Sequence, residues 1–264
     1  MAESAPLPTV LLLGQDHLAA DRYAMCSVGD DWKTVCSISL GGLDAIPRKG
    51  GTQVPNEDCL FAADFGTTAF HAVADGHKGH RASHSLIERV ADLVDSPGAV
   101  TAPFRTNDWI YEDIPEDPPE EGDISRTTAA LCAIDRERLT AQGWSVGDSA
   151  VFHLSLAHGI RRLNESNTVY VSPFQAEPLG AGSVTRFQVD VRPGDAILTC
   201  TDGVFECHYG SPATSLLPDD LESLFIRYSA DIDAYVAAIS HDSLMGVRGN
   251  PGGQDNIALI ATIV

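Results

Sequence analysis

The feature of this sequence that most constrains its fold is a series of ten short apolar segments that runs from Thr34 to Val264. The segments are rich in Val, Ile, Phe and Thr, and Gly, Pro, Asn and Asp separate them, which is typical of strands joined by turns. The ten segments are TVCSISLGG, CLFAADF, TAFHAVAD, TTAALCAI, LTAQGWSVG, AVFHLSL, GIRRLN, TRFQVDV, DAILTCTD and NIALIATIV. So many strands with short connections predict sheets packed on sheets within one domain.

Helical signals are fewer and fall in two regions. In residues 79–95, Leu86, Val90 and Leu93 recur at a helical spacing. Residues 218–245 begin with a proline followed by acids, as the first turn of a helix often does. We therefore expect helices on the outside of the sheets. Residues 111–123 are acidic and rich in proline, and this composition predicts an exposed loop.

Composition restricts the location and the partners of the chain. The 37 acidic and 17 basic residues give a formal charge of −20, which disfavours nucleic acid and anionic membranes. The six cysteines form no CxxC pair and predict reduced thiols. Residues 1–33 give only a weak pattern of a strand and a helical turn, and we treat them as an N-terminal extension of unknown role. Their apolar run is too short for a signal peptide or a membrane span, which predicts a cytoplasmic protein.

Aspartates end many of the strand candidates, where side chains from distant parts of a sheet protein meet at one rim. Clustered carboxylates repel one another unless cations neutralise them, and Mg²⁺ or Mn²⁺ prefers such oxygen ligands. The five aspartates are Asp58, Asp75, Asp148, Asp202 and Asp255. Asp-Gly and Asp-Asn are also ordinary turn dipeptides. From spacing alone, a shared metal site and a set of unrelated turns both remain open.

Six motifs carry a family resemblance that favours the metal site. In chain order they are NEDCLF, HAVADGHKGHRAS, SRTTAALCAI, SVGDSAVFHLS, PGDAILTCTDGVFE and GGQDNIALIATIV. Together they resemble the successive motifs of the metal-dependent protein phosphatase (type 2C, PPM) family. The resemblance covers residues 34–264 and implies one catalytic domain there. It implies an α+β fold, a central antiparallel β-sandwich flanked by α-helices in four αββα layers.

The resemblance also implies a binuclear Mn²⁺ or Mg²⁺ site. Asp75 would bridge the two ions. Asp58 and the backbone carbonyl of Gly76 would complete one ion, and Asp202 and Asp255 would hold the other. A water shared by the two ions would attack the phosphorus of phosphoserine or phosphothreonine.

Three further residues receive roles from the same resemblance. Glu57 would lie in the outer shell and accept from metal-bound waters, and Asp148 with Asp202 could hold a third, weaker ion. His77, two residues after Asp75, would be the general acid that protonates the leaving oxygen. Zinc bound by His77, His80 and His84 is an alternative, but a solvated helix start accounts better for the last two.

The chain departs from the family pattern at the phosphate-binding arginine and at the flap. The arginine that usually stands five residues before the first metal aspartate is Gln53 here, and Arg48 is the candidate to replace it. About thirty residues separate GDSA from PLGAGS, so the flap subdomain should be reduced or absent. Arg126 replaces the glycine that usually precedes the paired threonines.

The sequence thus predicts a cytoplasmic protein serine/threonine phosphatase that requires Mn²⁺ or Mg²⁺. Its partner would be a phosphorylated protein substrate, with neither nucleic acid nor membrane involved, and we expect a monomer. One alternative is a catalytically silent relative that binds phosphoproteins or has a regulatory role, as the missing arginine and flap suggest. Another is a phosphomonoesterase of small molecules, which would share the chemistry.

Overall fold

The computed structural model describes residues 8–29, 33–49, 54–105, 110, 125–172, 179 and 182–264, and within them the chain forms fourteen strands and four helices. The strands are β1 (Thr9–Leu13), β2 (Arg22–Val28), β3 (Thr34–Gly41), β4 (Cys59–Asp64), β5 (Thr68–Ala74), β6 (Gly76–His77), β7 (Arg126–Thr127), β8 (Ala129–Asp135), β9 (Thr140–Val146), β10 (Ala150–Ser155), β11 (Gly159–Arg162), β12 (Thr185–Asp190), β13 (Ala196–Cys200) and β14 (Ile257–Ile263). The helices are α1 (Ala45–Arg48), α2 (Arg81–Leu93), α3 (Pro218–Tyr228) and α4 (Ile232–Met245). Gln53 and the acidic residues 111–123 lie outside the described residues.

Twelve of the strands form two antiparallel six-stranded sheets. The first sheet has the order β1-β4-β5-β8-β9-β12, and the second has the order β11-β10-β13-β14-β3-β2. All ten strand predictions are confirmed. The sheets pack face to face through apolar side chains such as Ile38, Leu60, Val73, Ile197 and Ile260. Strands β6 and β7 form a separate two-stranded ribbon at the rim of the first sheet.

Helices cover the outer face of each sheet. Leu86, Ile87 and Val90 of α2 pack with Phe61 and Phe70 of the first sheet. Helices α3 and α4 pack on the second sheet in the same way, through a separate apolar cluster. Both sheets bury two faces, which is why their strands read as almost continuous apolar runs. The predicted four-layer αββα sandwich is confirmed.

Two strands come from the first 33 residues. Strand β1 pairs with β4 at the edge of the first sheet, where Leu12 lies opposite Leu60. Strand β2 pairs with β3 at the edge of the second sheet, where Cys26 lies opposite Cys36. The boundary drawn at residue 33 therefore does not separate these residues from the sandwich. They are edge strands of the same domain, and only the start of the family resemblance had set them apart.

A chain of hydrogen bonds crosses the layer between the sheets, formed by Arg136, Asp64, Thr34, Thr262, His71 and Thr199. His71 lies between two threonines, with Nδ1 3.0 Å from Thr199 Oγ1 and Nε2 2.6 Å from Thr262 Oγ1. Burial lowers the pKa of His71 to about 3, so this imidazole is neutral. At the other end, Arg136 donates to both carboxylate oxygens of Asp64 at 2.7 and 2.8 Å. Each buried polar group named here has a partner, as a stable interior requires.

The region between β11 and β12 contains no helix among its described residues, in agreement with a reduced flap. Its backbone returns to the rim of the first sheet, where Thr127 and Val171 exchange hydrogen bonds of 2.7 and 2.8 Å. No helix in the described part of the chain is long and apolar enough to span a bilayer.

Candidate active site

Two of the predicted metal ligands, Asp148 and Asp202, line a cleft of about 590 Å³ at one end of the sandwich, and Asp75 lies buried beside them. A carboxylate oxygen from each of Asp75, Asp148 and Asp202 lies within 4.8 Å of the others. Asp75 follows β5, Asp148 lies in the turn between β9 and β10, and Asp202 follows β13. Both sheets therefore contribute to the cluster, because the ends of their strands share one rim.

Asp58 and Asp255 approach the same cluster from two other strands. Asp58, just before β4, accepts a 2.7 Å hydrogen bond from Thr201 Oγ1. Asp255, just before β14, accepts from the Asn256 N–H at 2.8 Å. The charges of Asp58 and Asp255 act on Asp75, which places them in the same electrostatic cluster.

Two glycines allow the turns that present the aspartates. A Cβ on Gly203, in the TDG turn, would lie 1.8 Å from the carbonyl oxygen of Asn256. Gly147, in the GDS turn, has φ +91° and is packed against the side chain of Thr128. Only glycine fits such a close approach or adopts such a φ without strain. The backbone of the site therefore requires glycine at both positions.

Glu57 and Gly76 lie beside the cluster. Glu57 Oε1 accepts from the Gly79 N–H at 2.7 Å, which holds the carboxylate at the cleft wall. A Cβ on Gly76 would lie 2.7 Å from the backbone oxygen of Glu57 and 2.8 Å from Ser83 Oγ, so this position also requires glycine. The structure thus brings Asp75, Asp148 and Asp202 together, with Glu57, Asp58, Gly76 and Asp255 nearby, and the ligand roles of these residues stay predictions.

Burial is the main cause of the raised pKa values of the aspartates in this cluster. Burial first, and the neighbouring carboxylates next, raise the pKa of Asp75 and Asp202 well above the usual range. Burial likewise raises the pKa of Asp58 to about 7 and raises the pKa of Asp148. The ionised cluster is therefore unfavourable without cations.

The donor set fits divalent metal ions. Asp148 Oδ1 is buried and has no hydrogen-bond partner among the described residues. Carboxylate oxygens are the ligands that Mg²⁺ and Mn²⁺ prefer. In the described part of the chain, Asp75, Asp148 and Asp202 are the one group of side chains placed so that they could hold a metal ion together, and the group contains no histidine. Zinc held by His77, His80 and His84 is therefore disfavoured.

His77 lies next to the cluster on β6. Its Nε2 is 3.6 Å from Asp75 Oδ2, and its ring meets Tyr170 edge-on with a centroid separation of 4.6 Å. Burial first, and the charge of Lys49 next, lower the pKa of His77 to about 4. His77 Nε2 is buried and has no hydrogen-bond partner within the described ranges.

Arg48 and Lys49 form one cationic wall of the cleft. Arg48 Nη1 donates to the Gln254 carbonyl at 2.6 Å, and its guanidinium lies 3.2 Å from the centroid of the Tyr209 ring. Lys49 Nζ lies 2.9 Å from Asp255 Oδ1. The sequence had singled out Arg48 but gave no signal for Lys49 or Tyr209.

The opposite wall contains Arg126, which lies directly across the β6–β7 ribbon from His77. The Arg126 guanidinium lies 4.1 Å from the centroid of the Tyr170 ring, so Tyr170 contacts both His77 and Arg126. Lys78 also lines this side. The replacement of a glycine by Arg126 was the only sequence signal for this wall, and nothing pointed to Tyr170.

Comparison with known proteins identifies the fold. The structure is similar to the catalytic domain of the serine/threonine phosphatase PstP in complex with two manganese ions, with TM-score 0.58, 20% identity and coverage of 97% of this chain and 99% of that chain. It is similar to RsbX in complex with magnesium, with TM-score 0.61, 14% identity and coverage of 91% and 100%. It is also similar to the PPM Ser-Thr phosphatase MsPP from Mycobacterium smegmatis, with TM-score 0.59, 16% identity and coverage of 88% and 97%. No curated protein matches the sequence.

A family model described as Stage II sporulation protein E (SpoIIE) matches residues 79–263. The match includes Asp148, Asp202 and Asp255 and covers well over half of the chain. The protein therefore belongs to the SpoIIE family, within the metal-dependent (type 2C) phosphatases.

Proposed function

We propose that this protein is a metal-dependent protein phosphatase that hydrolyses phosphoserine and phosphothreonine. The observation that carries the proposal is the convergence of Asp75, Asp148 and Asp202 in an open cleft, with a buried oxygen of Asp148 left without a partner among the described residues. Such a site has little use in a protein that does not bind cations. Membership of a phosphatase family then favours phosphate ester hydrolysis over other metal-assisted reactions.

The proposed ligand roles follow the family pattern. In that pattern Asp75 would be shared by two ions, Asp58 and the Gly76 carbonyl would help to hold one, and Asp202 and Asp255 would help to hold the other. Asp148 joins Asp202 at a third, weaker position. When bound, Mn²⁺ or Mg²⁺ supplies Lewis acidity to the phosphoryl group and activates water at neutral pH.

His77 is the proposed general acid. With a pKa of about 4, its imidazole is neutral at pH 7 and cannot by itself protonate the leaving oxygen as an imidazolium. A phosphoryl dianion bound beside the ring would raise this pKa, because an opposite charge favours the protonated form. Tyr170 packs against the ring and fixes its orientation.

The two cationic walls supply the phosphate contacts that the family's usual arginine would make. Arg48 is one candidate, although its guanidinium already donates to the Gln254 carbonyl and lies over Tyr209. Arg126 lines the cleft, and its guanidinium lies against the Tyr170 ring beside His77, where it could also contact a substrate anion. We therefore include Arg126 among the phosphate-binding residues.

Replacing Arg126 with alanine is expected to raise KM for a phosphothreonine peptide by about tenfold with little change in kcat, because a charge-assisted hydrogen bond to bound substrate is lost. Steady-state kinetics measures the split. Arg126→Lys should recover part of the loss. Arg138→Ala is the matched control, since this exposed arginine does not line the cleft. A fall in kcat with unchanged KM would contradict the assignment.

The function itself is tested by hydrolysis of p-nitrophenyl phosphate and of a phosphothreonine peptide, each with Mn²⁺, with Mg²⁺ and with chelator. We expect turnover that requires metal and that Asp202→Asn abolishes. The ratio of the two substrates separates a protein phosphatase from a phosphomonoesterase of small molecules, which the open cleft also accommodates. Metal binding without turnover of either substrate would instead favour a silent phosphoprotein-binding or regulatory relative.

A further inference from the structure

Lys49 is a buried cation inside the carboxylate cluster. Its side chain is 10% exposed, and Nζ lies 2.9 Å from Asp255 Oδ1 and 3.7 Å from Glu57 Oε2. The sequence contains three lysines, Lys33, Lys49 and Lys78. A lysine is rarely this buried unless it is paired, so its position needs a reason.

Backbone hydrogen bonds hold Lys49 in this position. Lys49 follows α1, and its N–H donates to the carbonyls of Ala45 and Ile46 at 3.3 Å. At the start of the same loop, the Gly42 N–H donates to the Gly253 carbonyl at 2.6 Å. The segment that carries Lys49 is therefore tied to the segment that carries Asp255.

The surrounding carboxylates hold the ammonium in its charged form. Carboxylate oxygens of Asp255 and Glu57 lie within 4 Å of Nζ, and a lysine paired in this way stays protonated at neutral pH. This positive charge therefore neutralises part of the cluster by itself.

One carboxylate oxygen of Asp255, a proposed metal ligand, cannot bind the Lys49 ammonium and a divalent metal ion at full strength at the same time. An ammonium at 2.9 Å uses a lone pair of Oδ1, and its charge repels a divalent ion nearby. We propose that Lys49 is a tethered cation that competes with the divalent ion for Asp255, so that metal binds there only by displacing the ammonium. This inference rests on the proposed ligand role of Asp255.

Two effects of opposite sign are expected when Lys49 is replaced with methionine, which keeps the apolar stem and removes the charge. The dissociation constant for Mn²⁺, measured by calorimetry, should fall about tenfold because no ammonium has to leave. The unfolding temperature in chelator should also fall, because the metal-free carboxylates lose their counter-charge. Lys49→Arg should stay close to wild type in both measurements, and Lys33→Met is the matched control.

A second measurement uses the wild-type protein and does not depend on how a variant folds. Reductive methylation followed by mass spectrometry reports how accessible each lysine is. Lys49 should be protected in chelator and become reactive with Mn²⁺, whereas Lys33, which does not line the cleft, should react equally in both conditions. Equal protection of Lys49 in both conditions, together with an unchanged dissociation constant in Lys49→Met, would overturn the inference.

Failure of this inference can be told from failure of the proposed function. Metal-dependent turnover with no change in Mn²⁺ affinity in Lys49→Met would retain the phosphatase and reject the competition. Tighter Mn²⁺ binding by Lys49→Met without turnover in either protein would retain the competition and reject the phosphatase. If neither protein bound Mn²⁺, the competition would be rejected. A rise in KM alone would also reject it, because Lys49 would then be a substrate-binding residue.

Discussion

Replacing Asp75 with asparagine should lower kcat/KM for a phosphothreonine peptide by about a thousandfold or more. Asp75 is nearly fully buried, and it shares the cluster with Asp148 and Asp202. Asparagine keeps the shape of the side chain but supplies one neutral oxygen where the proposed site needs a charged group that contacts two ions. Steady-state kinetics with saturating Mn²⁺ measures the loss.

The same substitution should not destabilise the metal-free protein. Burial and the charges of Asp58 and Asp255 disfavour the ionised form of Asp75, so a neutral side chain relieves repulsion. In chelator, the unfolding temperature of Asp75→Asn should equal or exceed that of the wild type, and Mn²⁺ should raise it less. Asp190→Asn, at the exposed end of β12, is the matched control. If Asp75→Asn retained a tenth or more of the activity, the proposed role of Asp75 would be wrong.

The second large effect is a loss of stability in acid that originates at His71. This imidazole is neutral in the folded protein with a pKa of about 3, whereas an unfolded histidine has a pKa near 6.5. As the pH falls below about 6.5, the unfolded chain binds a proton at this histidine that the folded protein does not bind. The free energy of unfolding therefore decreases until about pH 3. By pH 4 the loss from this one residue should reach about 3 kcal/mol.

Urea unfolding at pH 7, 5.5 and 4 in chelator measures this contribution. His71→Gln cannot gain the proton, so its unfolding free energy should fall less between pH 7 and pH 4 than that of the wild type. The raised pKa values of the carboxylate cluster change stability with pH in the opposite direction. Because the cluster is the same in both proteins, its contribution cancels in the comparison. His241→Gln, at an exposed position, should follow the wild type. Parallel curves for wild type and His71→Gln would show that His71 is not kept neutral.

The sequence predicted the strands and the aspartates because both have local signals. Strands buried on two faces leave continuous apolar runs, and a turn at the end of such a run needs glycine beside the aspartate, as at Gly203. The edge strands β1 and β2 lacked this signal because they are less buried, and they were assigned no role. Their place in the sheets depends on partners such as Leu60 and Cys36 elsewhere in the chain.

The cationic walls were largely beyond sequence reasoning for a different reason. Lys49 meets Asp255 because α1 and the segment before β14 are tied together, and neither residue stands in a pattern that names the other. Tyr170 reaches His77 through the Thr127–Val171 bridge, which joins segments that are distant in the chain. Such contacts are properties of the assembled fold, whereas periodicity and turn residues describe only neighbours in sequence.

Strand β14 lies in the interior of the second sheet, between β13 and β3, and Asp255 directly precedes it. During synthesis, β2 and β3 leave the ribosome early, but they cannot join β10 and β13 until residues 257–263 have emerged. The nascent chain must therefore hold an unfinished, apolar sheet for most of its translation, a situation that favours slow folding and association with chaperones. Asp255, a proposed metal ligand, becomes available only with the strand that completes the sheet, so the full set of proposed ligands assembles last.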